Sequence, residues 1–211
     1  MSNNQFTRDY YENGIETGIS CYTNYRWIPE LTIPMAMTMI DYLGITPKHS
    51  ILDFGAAKGF LVRAFRLLHR QAWGCDISQY AIDCADSLTQ EFLKTSTPES
   101  IIPFDKFFDI IIAKDVLEHI PPNDLGSILK LMASRGKRLF VVVPLGENGK
   151  FIVGAYHLDK THLIAESMEW WVAKFNEAGY SLLSADYRIP GIKDNWARFP
   201  QGNGFFLLES I

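Results

Sequence analysis

Apolar and polar residues follow two recurring patterns along the chain, which predict alternating strands and helices. Short apolar runs such as FDIIIAK (residues 108–114) and RLFVVVP (residues 138–144) have the length of buried strands and are too short to span a membrane. Between such runs, apolar residues recur at spacings of three and four, as on the buried face of a helix. Strand and helix patterns alternate five times, so we predict an α/β fold.

The individual elements follow from these patterns and from the Gly and Pro residues that separate them. The link NWARFPQGNG between the last two strands is too short for a helical crossover, so we expect the last strand to be antiparallel. The predicted fold is a Rossmann-like, doubly wound, seven-stranded sheet with helices on both faces. The predicted strands are Ser50–Phe54, QAWGCD, EFLKTS, FFDIIIAKD, KRLFVVVP, YSLLSADYRI and GFFLLES, and the predicted helices cover 31–44, a segment from Gly59, 78–89, 122–136 and 168–179.

Length and composition favour one domain and give no clear sign of a nucleic-acid partner. The chain has 211 residues, of which 47% are hydrophobic, enough for a single core. We expect residues 1–45 to form an N-terminal cap segment and helix, and residues 46–211 to form the core. The net charge is −4, and three arginines at helical spacing, at 63, 66 and 70, are typical of a solvated helix face.

The cysteines and the N-terminus lead us to expect a cytoplasmic protein that does not insert into a membrane. Cys21, Cys75 and Cys84 show neither metal-ligand spacing nor a paired framework, which is typical of reduced thiols. The N-terminal sequence MSNNQFTRDYYENG lacks the apolar core of a signal peptide. The sequence gives no prediction of the oligomeric state.

The segment ILDFGAAKG, residues 51–59, joins a buried strand to a helix through a turn that carries few side chains. In an open parallel sheet, ligands bind beyond the carboxyl ends of the strands. Gly55 permits backbone conformations closed to other residues and lets a ligand approach the backbone, while Gly59 lets the next helix pack close to the strand. We therefore predict a ligand site at this turn. The alternative is a tight strand-to-helix turn without a ligand.

Asp76 ends the second predicted strand, roughly 20 residues after the turn, where an acidic residue can accept hydrogen bonds from both hydroxyls of a ribose. Its alternative role is to cap the helix that begins near residues 78–80. The spacing G-A-A-K-G matches neither the dinucleotide pattern nor the phosphate-loop pattern. The sequence therefore predicts a ribose-bearing ligand that needs no pyrophosphate site.

Four segments in order, LDFGAAKG, GCDIS, FDIIIAKDVLEHIP and DKTHLIAESMEWWVAKFNEAGY, resemble successive motifs of class I S-adenosylmethionine-dependent methyltransferases. The resemblance covers roughly residues 48–182, and its end, EWWVAKFNEAGY, resembles small-molecule and sugar-directed members of the family. It implies that the cofactor is S-adenosyl-L-methionine and that a small-molecule or sugar-type acceptor is methylated on oxygen or nitrogen. Two alternatives stay open: a non-catalytic protein that binds S-adenosylmethionine or a nucleoside, and a nucleotide-dependent oxidoreductase.

The resemblance also implies cofactor-binding roles for single residues. It places the methionine end of the cofactor at Asp53 and Gly55, the ribose at Asp76, and the sulfonium near Lys114. The sequence departs from the family's pattern at Ala57, where the family has a glycine, and after the third strand, where its usual acidic residue is missing. The predicted cofactor-binding set is Tyr25, Arg26, Asp53, Gly55, Ala57, Gly59, Asp76, Ile77 against adenine, Ser96 near the adenine amine, and Lys114.

The N-terminal segment is expected to cover the cofactor. In similar enzymes such a segment carries aromatic residues, here Tyr22, Tyr25 and Trp27, which can attract a sulfonium through a cation–π interaction. Arg26 could bind the carboxylate of the cofactor. The alternative is a hydrophobic plug over the sheet.

The acceptor side is predicted to lie in the loop 145–166, after the fifth strand. This loop contains His157, Asp159 and His162 in AYHLDKTHL, and His162 matches the D-x-x-H pattern of the family. Histidine titrates near neutral pH and suits a general base, so these three residues are the catalytic candidates. The alternative is a polar loop whose histidines bind local backbone. We expect His119 to be structural, and we predict no metal site.

Overall fold

The computed structural model describes residues 5–211. The predicted cap segment begins at residue 1, so its first four residues lie outside the described part. The chain divides into two compact units, Met1–Asp105 and Lys106–Ile211, and each is described by itself.

The first unit contains an N-terminal helical segment and three parallel strands. The strands lie in the order β3-β2-β1, and Ser50 of β1 is in register with Gln71 of β2. All five residues of β1 are buried, as its apolar sequence predicts. The elements are α1 (Arg8–Glu12), α2 (Gly14–Thr17), α3 (Pro29–Leu43), β1 (Ser50–Phe54), α4 (Phe60–Leu67), β2 (Gln71–Asp76), α5 (Gln79–Asp83), α6 (Ser87–Gln90) and β3 (Leu93–Thr95).

One element of this unit differs from its prediction. Residues 78–89 were predicted to be one helix, but the structure has two short ones, α5 and α6. Each begins with its own capping side chain: Ser78 Oγ accepts a hydrogen bond from the backbone of Ala81, and Asp86 accepts one from the backbone of Leu88. Because Ser and Asp side chains compete with helical hydrogen bonding, a second cap eight residues after the first interrupts the helix.

The second unit contains four longer strands in the order β4-β5-β9-β8. Strands β4 and β5 are parallel, and β9 is antiparallel to both β5 and β8. The predicted reversal of the last strand is therefore confirmed, and the two units together supply the seven strands of the predicted mixed sheet. The elements are β4 (Phe108–Lys114), α7 (Pro122–Arg135), β5 (Gly136–Pro144), β6 (Gly146–Glu147), β7 (Lys150–Phe151), α8 (Met168–Glu177), β8 (Tyr180–Asp186), β9 (Asn203–Ser210), and 3₁₀ turns at Leu117–His119, Gly154–Leu158 and Asp194–Trp196.

The small hairpin of β6 and β7 was not predicted. Its turn residues Asn148 and Gly149 have φ angles of 52° and 74°, the left-handed conformations that Asn-Gly hairpin turns adopt. The hairpin occupies the first part of the predicted acceptor loop and ends at Phe151, next to the histidines of that loop. Within residues 5–211, no helix combines the length and the apolar character needed to cross a membrane.

Candidate active site

The glycine turn after β1 needs glycine for its conformation. The φ angles of Gly55 and Gly59 are 80° and 73°, in the left-handed region that side chains rarely adopt. A Cβ atom on Gly59 would also lie 2.5 Å from Leu93 Cδ1, which is buried. The turn is held to β2 by hydrogen bonds from the backbone N–H groups of Gly55 and Ala56 to the Cys75 carbonyl.

Ala57, where the resemblance implies a glycine, also adopts a left-handed conformation, with φ at 49°. An L-residue with a Cβ atom is strained there, by roughly 1–2 kcal/mol. The backbone at this position therefore has a glycine-type conformation although the residue carries a Cβ atom.

We expect the Ala57→Gly variant to be more stable than the wild-type protein by about 1 kcal/mol. The glycine relieves the backbone strain, and part of that gain is offset because glycine loses more entropy on folding. Urea unfolding of both proteins measures the difference. Ala56→Gly is the matched control, because Ala56 does not share the positive φ angle and should lose stability instead.

Asp76 connects the end of β2 to the glycine turn. Its Oδ2 accepts a hydrogen bond from the backbone N–H of Ala57 at 2.7 Å, and its Oδ1 accepts one from Ser78 at the same distance. Burial raises the pKa of the Asp76 carboxyl to about 6, although these two hydrogen bonds act in the opposite direction. Ser78, and not Asp76, caps the following helix through its side chain.

Asp53 and Ile77 lie near the ends of β1 and β2. Asp53 is buried, and Ile77 is half-buried. Ser96 follows β3, where its backbone N–H donates to the Asp76 carbonyl and its hydroxyl donates to the Ile101 carbonyl. The structure therefore brings Gly55, Ala57, Asp76 and Ser96 to the same end of the three parallel strands, as predicted.

The N-terminal segment is attached to the glycine turn by an ion pair that the sequence did not reveal. The ammonium of Lys58 donates to Glu12 and to the Tyr25 carbonyl, and Glu12 also accepts from the Tyr80 hydroxyl. Burial alone would raise the pKa of Glu12, but the hydrogen bonds from Lys58 and Tyr80 lower it overall. These partners lie 46 and 68 residues from Glu12, so no local sequence pattern identifies them.

The aromatic residues of this segment pack against one another and against α4. The ring of Tyr25 stacks on Phe60 at a centroid distance of 5.1 Å, and Tyr22 meets Tyr25 edge to face at 4.9 Å. Trp27 lies under the guanidinium of Arg63. Arg26 is exposed. The described structure thus agrees with an aromatic cover attached to the glycine turn, and nothing in it holds Arg26 towards a ligand.

In the second unit, Lys114 ends β4 beside the half-buried carboxylate of Asp115. Asp115 forms ion pairs with both Lys114 and Lys193. Burial alone would raise the pKa of Asp115, but the two ammonium groups hold it well below its usual range. The charge of Lys114 is therefore balanced by protein, although it was predicted to lie beside a cationic sulfonium.

The predicted catalytic residues lie in a hydrogen-bonded loop. Asp159 Oδ1 accepts from both the backbone N–H and the hydroxyl of Thr161. His162 Nδ1 lies 2.8 Å from the Tyr156 carbonyl, so it must carry a proton and donate it. The exposed His157 accepts through Nε2 from the backbone N–H of Phe151, which occupies the lone pair that a base would use.

Two residues of the 3₁₀ turn after β4 meet this loop. The backbone carbonyl of Glu118 accepts from the N–H groups of Leu163 and Ile164, which ties the loop to the turn. His119 Nδ1 lies 2.7 Å from Thr161 Oγ1, and its ring lies 4.7 Å from that of His162. Burial lowers the pKa of both histidines, that of His119 to about 4, and raises the pKa of Glu118 to about 8.

A small cleft adjoins this loop in the second unit. Tyr156 links the two features, because its carbonyl binds His162 while its hydroxyl donates to Asn203, which lines the cleft. Lys193 also lines the cleft and lies 5.0 Å above the Tyr156 ring. The other lining residues are Tyr187, Arg188, Ile192, Trp196, Ala197, Phe199, Pro200 and Phe205.

Sequence reasoning missed Thr161 and the cleft. A signal for Thr161 was present, because Asp159-Lys160-Thr161 has the spacing at which an Asp side chain accepts from the backbone two residues later. The cleft gave no such signal, since most of its lining lies between β8 and β9 in a segment without periodicity, and only Asn203 and Phe205 belong to β9.

Comparison with known proteins identifies the family. The family model described as a methyltransferase domain matches residues 35–187. No curated protein matches the sequence with significance.

Solved structures share the fold at low identity. An S-adenosylmethionine-dependent methyltransferase from Archaeoglobus fulgidus has a TM-score of 0.64 at 15% identity, over 83% of this chain and 92% of that one. Magnesium protoporphyrin IX methyltransferase from Synechocystis with bound S-adenosylhomocysteine has a TM-score of 0.62 at 16% identity, over 85% of this chain and 82% of that one. The 1,6-didemethyltoxoflavin-N1-methyltransferase from Burkholderia thailandensis has a TM-score of 0.59 at 15% identity, over 84% of this chain and 76% of that one.

The match to the family model spans more than half of the chain. It includes the glycine turn, Asp76, and the loop with His162. The chain therefore belongs to the methyltransferase domain family and is an S-adenosylmethionine-dependent methyltransferase with a Rossmann-like fold.

Proposed function

We propose that the protein transfers the methyl group of S-adenosylmethionine to an oxygen or nitrogen atom of a small-molecule or sugar-type acceptor. The observation that carries this proposal is the match to the methyltransferase domain family over residues 35–187, which includes the glycine turn, Asp76 and the loop with His162. A small cleft lies beside this loop, and Tyr156 connects it to His162. Two proteins of similar fold are named for small molecules, magnesium protoporphyrin IX and 1,6-didemethyltoxoflavin.

For the cofactor, the proposal assigns the methionine end to Asp53, Gly55, Ala57 and Gly59. The ribose hydroxyls bind the carboxylate of Asp76. This role is supported because a carboxylate can accept about four hydrogen bonds and Asp76 uses two for the backbone. Adenine lies against Ile77 near Ser96, while Tyr25, Arg26 and Lys114 complete the proposed set.

For the acceptor, we propose His162 as the residue that orients or deprotonates the reacting group. With Nδ1 donating to the Tyr156 carbonyl, the lone pair of the ring is on Nε2, which lies 4.0 Å from Asp159 Oδ2. Asp159 positions Thr161 in this arrangement, and His157 is the second candidate in the loop. Methyl transfer otherwise needs mainly alignment of the two reactants.

The proposed organisation is a single methyltransferase domain. Residues 1–45 form the cap segment and helix, residues 46–211 form the cofactor-binding core, and the loop 145–166 faces the acceptor. The ion pair of Glu12 with Lys58 supports the cap, because it fixes α1 to the glycine turn.

The decisive experiment is a transfer assay with S-adenosylmethionine labelled on its methyl group. Pools of hydroxylated and aminated small molecules, sugars, unfolded protein and RNA are offered as acceptors. We expect label in a small-molecule or sugar pool. Label in protein or RNA alone would refute the acceptor class, and cofactor binding without transfer to any pool would favour a non-catalytic binding protein.

The Gly55→Val variant should lose cofactor binding. A branched side chain would lie where the methionine end passes, and the φ of 80° would strain it further. Because the strain also lowers stability, the melting temperature is measured beside the affinity for S-adenosylmethionine. The control is Gly44→Val, at a helix end with φ at 61° and open space for a Cβ atom, which should lose stability but keep binding. Normal binding by folded Gly55→Val would place the cofactor elsewhere.

A further inference from the structure

Glu118, His119 and His162 form a cluster of side chains that could bind a metal ion. Within residues 5–211, each places one potential ligand atom within 4.8 Å of those of the other two. Glu118 and His119 share the 3₁₀ turn after β4, while His162 comes from the loop after β7. The hydrogen bonds from Leu163 and Ile164 to the Glu118 carbonyl hold turn and loop together.

Both histidines are oriented in the way that metal-binding histidines usually are. His162 donates from Nδ1 to the Tyr156 carbonyl. The Thr161 hydroxyl donates its proton to Asp159, so it must accept from Nδ1 of His119. Such hydrogen bonds fix the tautomer that has its lone pair on Nε2, and a ligating histidine commonly has a partner of this kind on its other nitrogen.

The carboxylate of Glu118 supplies an independent sign of a missing partner. Glu118 is only 1% exposed, and its Oε2 is among the few buried side-chain polar atoms of the described chain that make no hydrogen bond. A buried polar atom without a partner is costly, and most such atoms in folded proteins are satisfied. A cation bound between Glu118 and the two imidazoles would satisfy this oxygen.

The donor types indicate which metal fits. Two imidazoles and one carboxylate suit a divalent transition metal, and Zn²⁺ accepts this combination with a fourth position left for water or substrate. Tetrahedral Zn²⁺ needs donor atoms roughly 3.4 Å apart. The donor atoms of the cluster lie within 4.8 Å of one another, so small side-chain rotations are sufficient to reach that separation.

We propose that Glu118, His119 and His162 bind one divalent transition metal ion, best matched by Zn²⁺, with one coordination position open. No metal site was predicted from the sequence, in which His162 is 43 residues from His119. Metal binding itself does not depend on the proposed acceptor. Its use rests on the proposed function: the ion would bind the acceptor oxygen or nitrogen and lower the pKa of its proton. His162 then acts on the acceptor through the metal.

The test is a titration of chelator-treated full-length protein with Zn²⁺ by calorimetry and with Co²⁺ by visible absorption. We expect one equivalent of each metal to bind. Glu118→Gln and His162→Ala should each weaken binding by about 100-fold or more. Thr161→Val, which removes the partner of His119 together with one hydrogen bond to Asp159, should weaken it by about 10–100-fold. His69→Asn is the control, because His69 is an exposed histidine in a left-handed conformation that Asn tolerates, and it should bind like wild type.

Each variant is also checked for melting temperature and S-adenosylmethionine binding, so that a folding defect is recognised. If wild type binds no metal in one-to-one ratio, or if the ligand variants bind as wild type does, the metal site is wrong. Methyl transfer is measured separately with and without Zn²⁺. Transfer without metal would support the proposed function and show that the metal has no part in it. Metal binding without transfer to a small acceptor would support the metal site and contradict the proposed function.

Discussion

Replacing Asp76 with alanine is expected to weaken S-adenosylmethionine binding by at least tenfold. The change would remove the two charge-assisted hydrogen bonds proposed between Asp76 and the ribose, worth up to roughly 1.5–3 kcal/mol each. It also leaves the backbone N–H groups of Ala57 and Ser78 without their acceptor, which loosens the glycine turn. Calorimetry with the cofactor measures the loss. Unchanged affinity in a folded variant would place the ribose elsewhere.

Two control variants show whether a loss of affinity comes from the ribose contact, from the loss of a negative charge, or from disruption of the glycine turn. Asp83→Ala removes an exposed carboxylate at the end of α5 and should leave the affinity unchanged. Asp76→Asn keeps the size of the side chain and one acceptor oxygen, so it should preserve more of the turn than alanine does. If Asp76→Asn binds the cofactor as wild type does, the charge of Asp76 has no role in binding.

The same residue predicts how cofactor binding depends on pH. Burial raises the pKa of Asp76 to about 6 in the free protein, and the ribose hydroxyls donate to the ionised form. Below pH 6, binding must therefore remove a proton, and affinity should fall by up to about tenfold per pH unit. It should be nearly constant above pH 7. Asp76→Asn should lack this dependence, and an identical pH profile in wild type and variant would assign it to another group.

The raised pKa has a consequence of opposite sign for the free protein. Between the ordinary value of 3.8 and about 6, the folded state binds more protons at Asp76 than the unfolded state does. The contribution of Asp76 to stability is therefore fully present below pH 4 and is lost as the pH rises to about 6. Bound cofactor should reduce this loss, because it favours the ionised form in the folded state.

Replacing His162 with alanine is expected to lower turnover by about 10²–10⁴-fold and to leave S-adenosylmethionine affinity nearly unchanged. A positioned base supplies a factor of this size, and the imidazole acts on the acceptor side of the proposed reaction. Single-turnover rates and cofactor titrations on the same preparations measure both quantities. A parallel fall of affinity and turnover would assign His162 to the cofactor site, and no change in either would make it a structural residue of the loop.

Further measurements distinguish the ways in which His162 could act. His157→Ala removes the other histidine of the loop, and an equal loss there would move the base to His157. The activity of chelator-treated wild-type protein tests the role of the metal. Retained activity means that His162 acts as a free base. Activity that returns only with Zn²⁺ means that His162 acts as a metal ligand. If His119 also binds the ion, the Thr161→Val variant should likewise be active only when Zn²⁺ is added.

The hydrophobic pattern was sufficient to predict most of the elements. Strands such as Ser50–Phe54 and Phe108–Lys114 are mostly apolar because both faces are buried. A continuous apolar run of this kind can be recognised in the sequence alone. The short link before β9 was sufficient to predict the reversed strand. The pattern failed where polar side chains decided the backbone, at the caps Ser78 and Asp86 and at the Asn-Gly turn of the β6–β7 hairpin.

By itself, the sequence determined which residues lie together at the strand ends where the cofactor site is proposed. Parallel strands bring their carboxyl ends together, so Asp53, Gly55 and Asp76 could be placed from their positions at strand ends. Only the tertiary structure decided how these residues are held. Asp76 binds the backbone of Ala57, and Lys58 binds Glu12 and the Tyr25 carbonyl, partners 19, 46 and 33 residues away.

The acceptor side depended still more on the tertiary structure. The sequence determined that His162 follows the fifth strand, but not that it would lie beside Glu118 and His119 or be connected through Tyr156 to a cleft lined by residues 187–205. Side chains that meet through non-local folding leave no periodicity, because their spacing along the chain is set by the lengths of intervening loops. The pKa values of Glu118 and His119 also depend on burial, which only the tertiary structure decides. Burial lowers the pKa of His119 to about 4 and raises that of Glu118 to about 8.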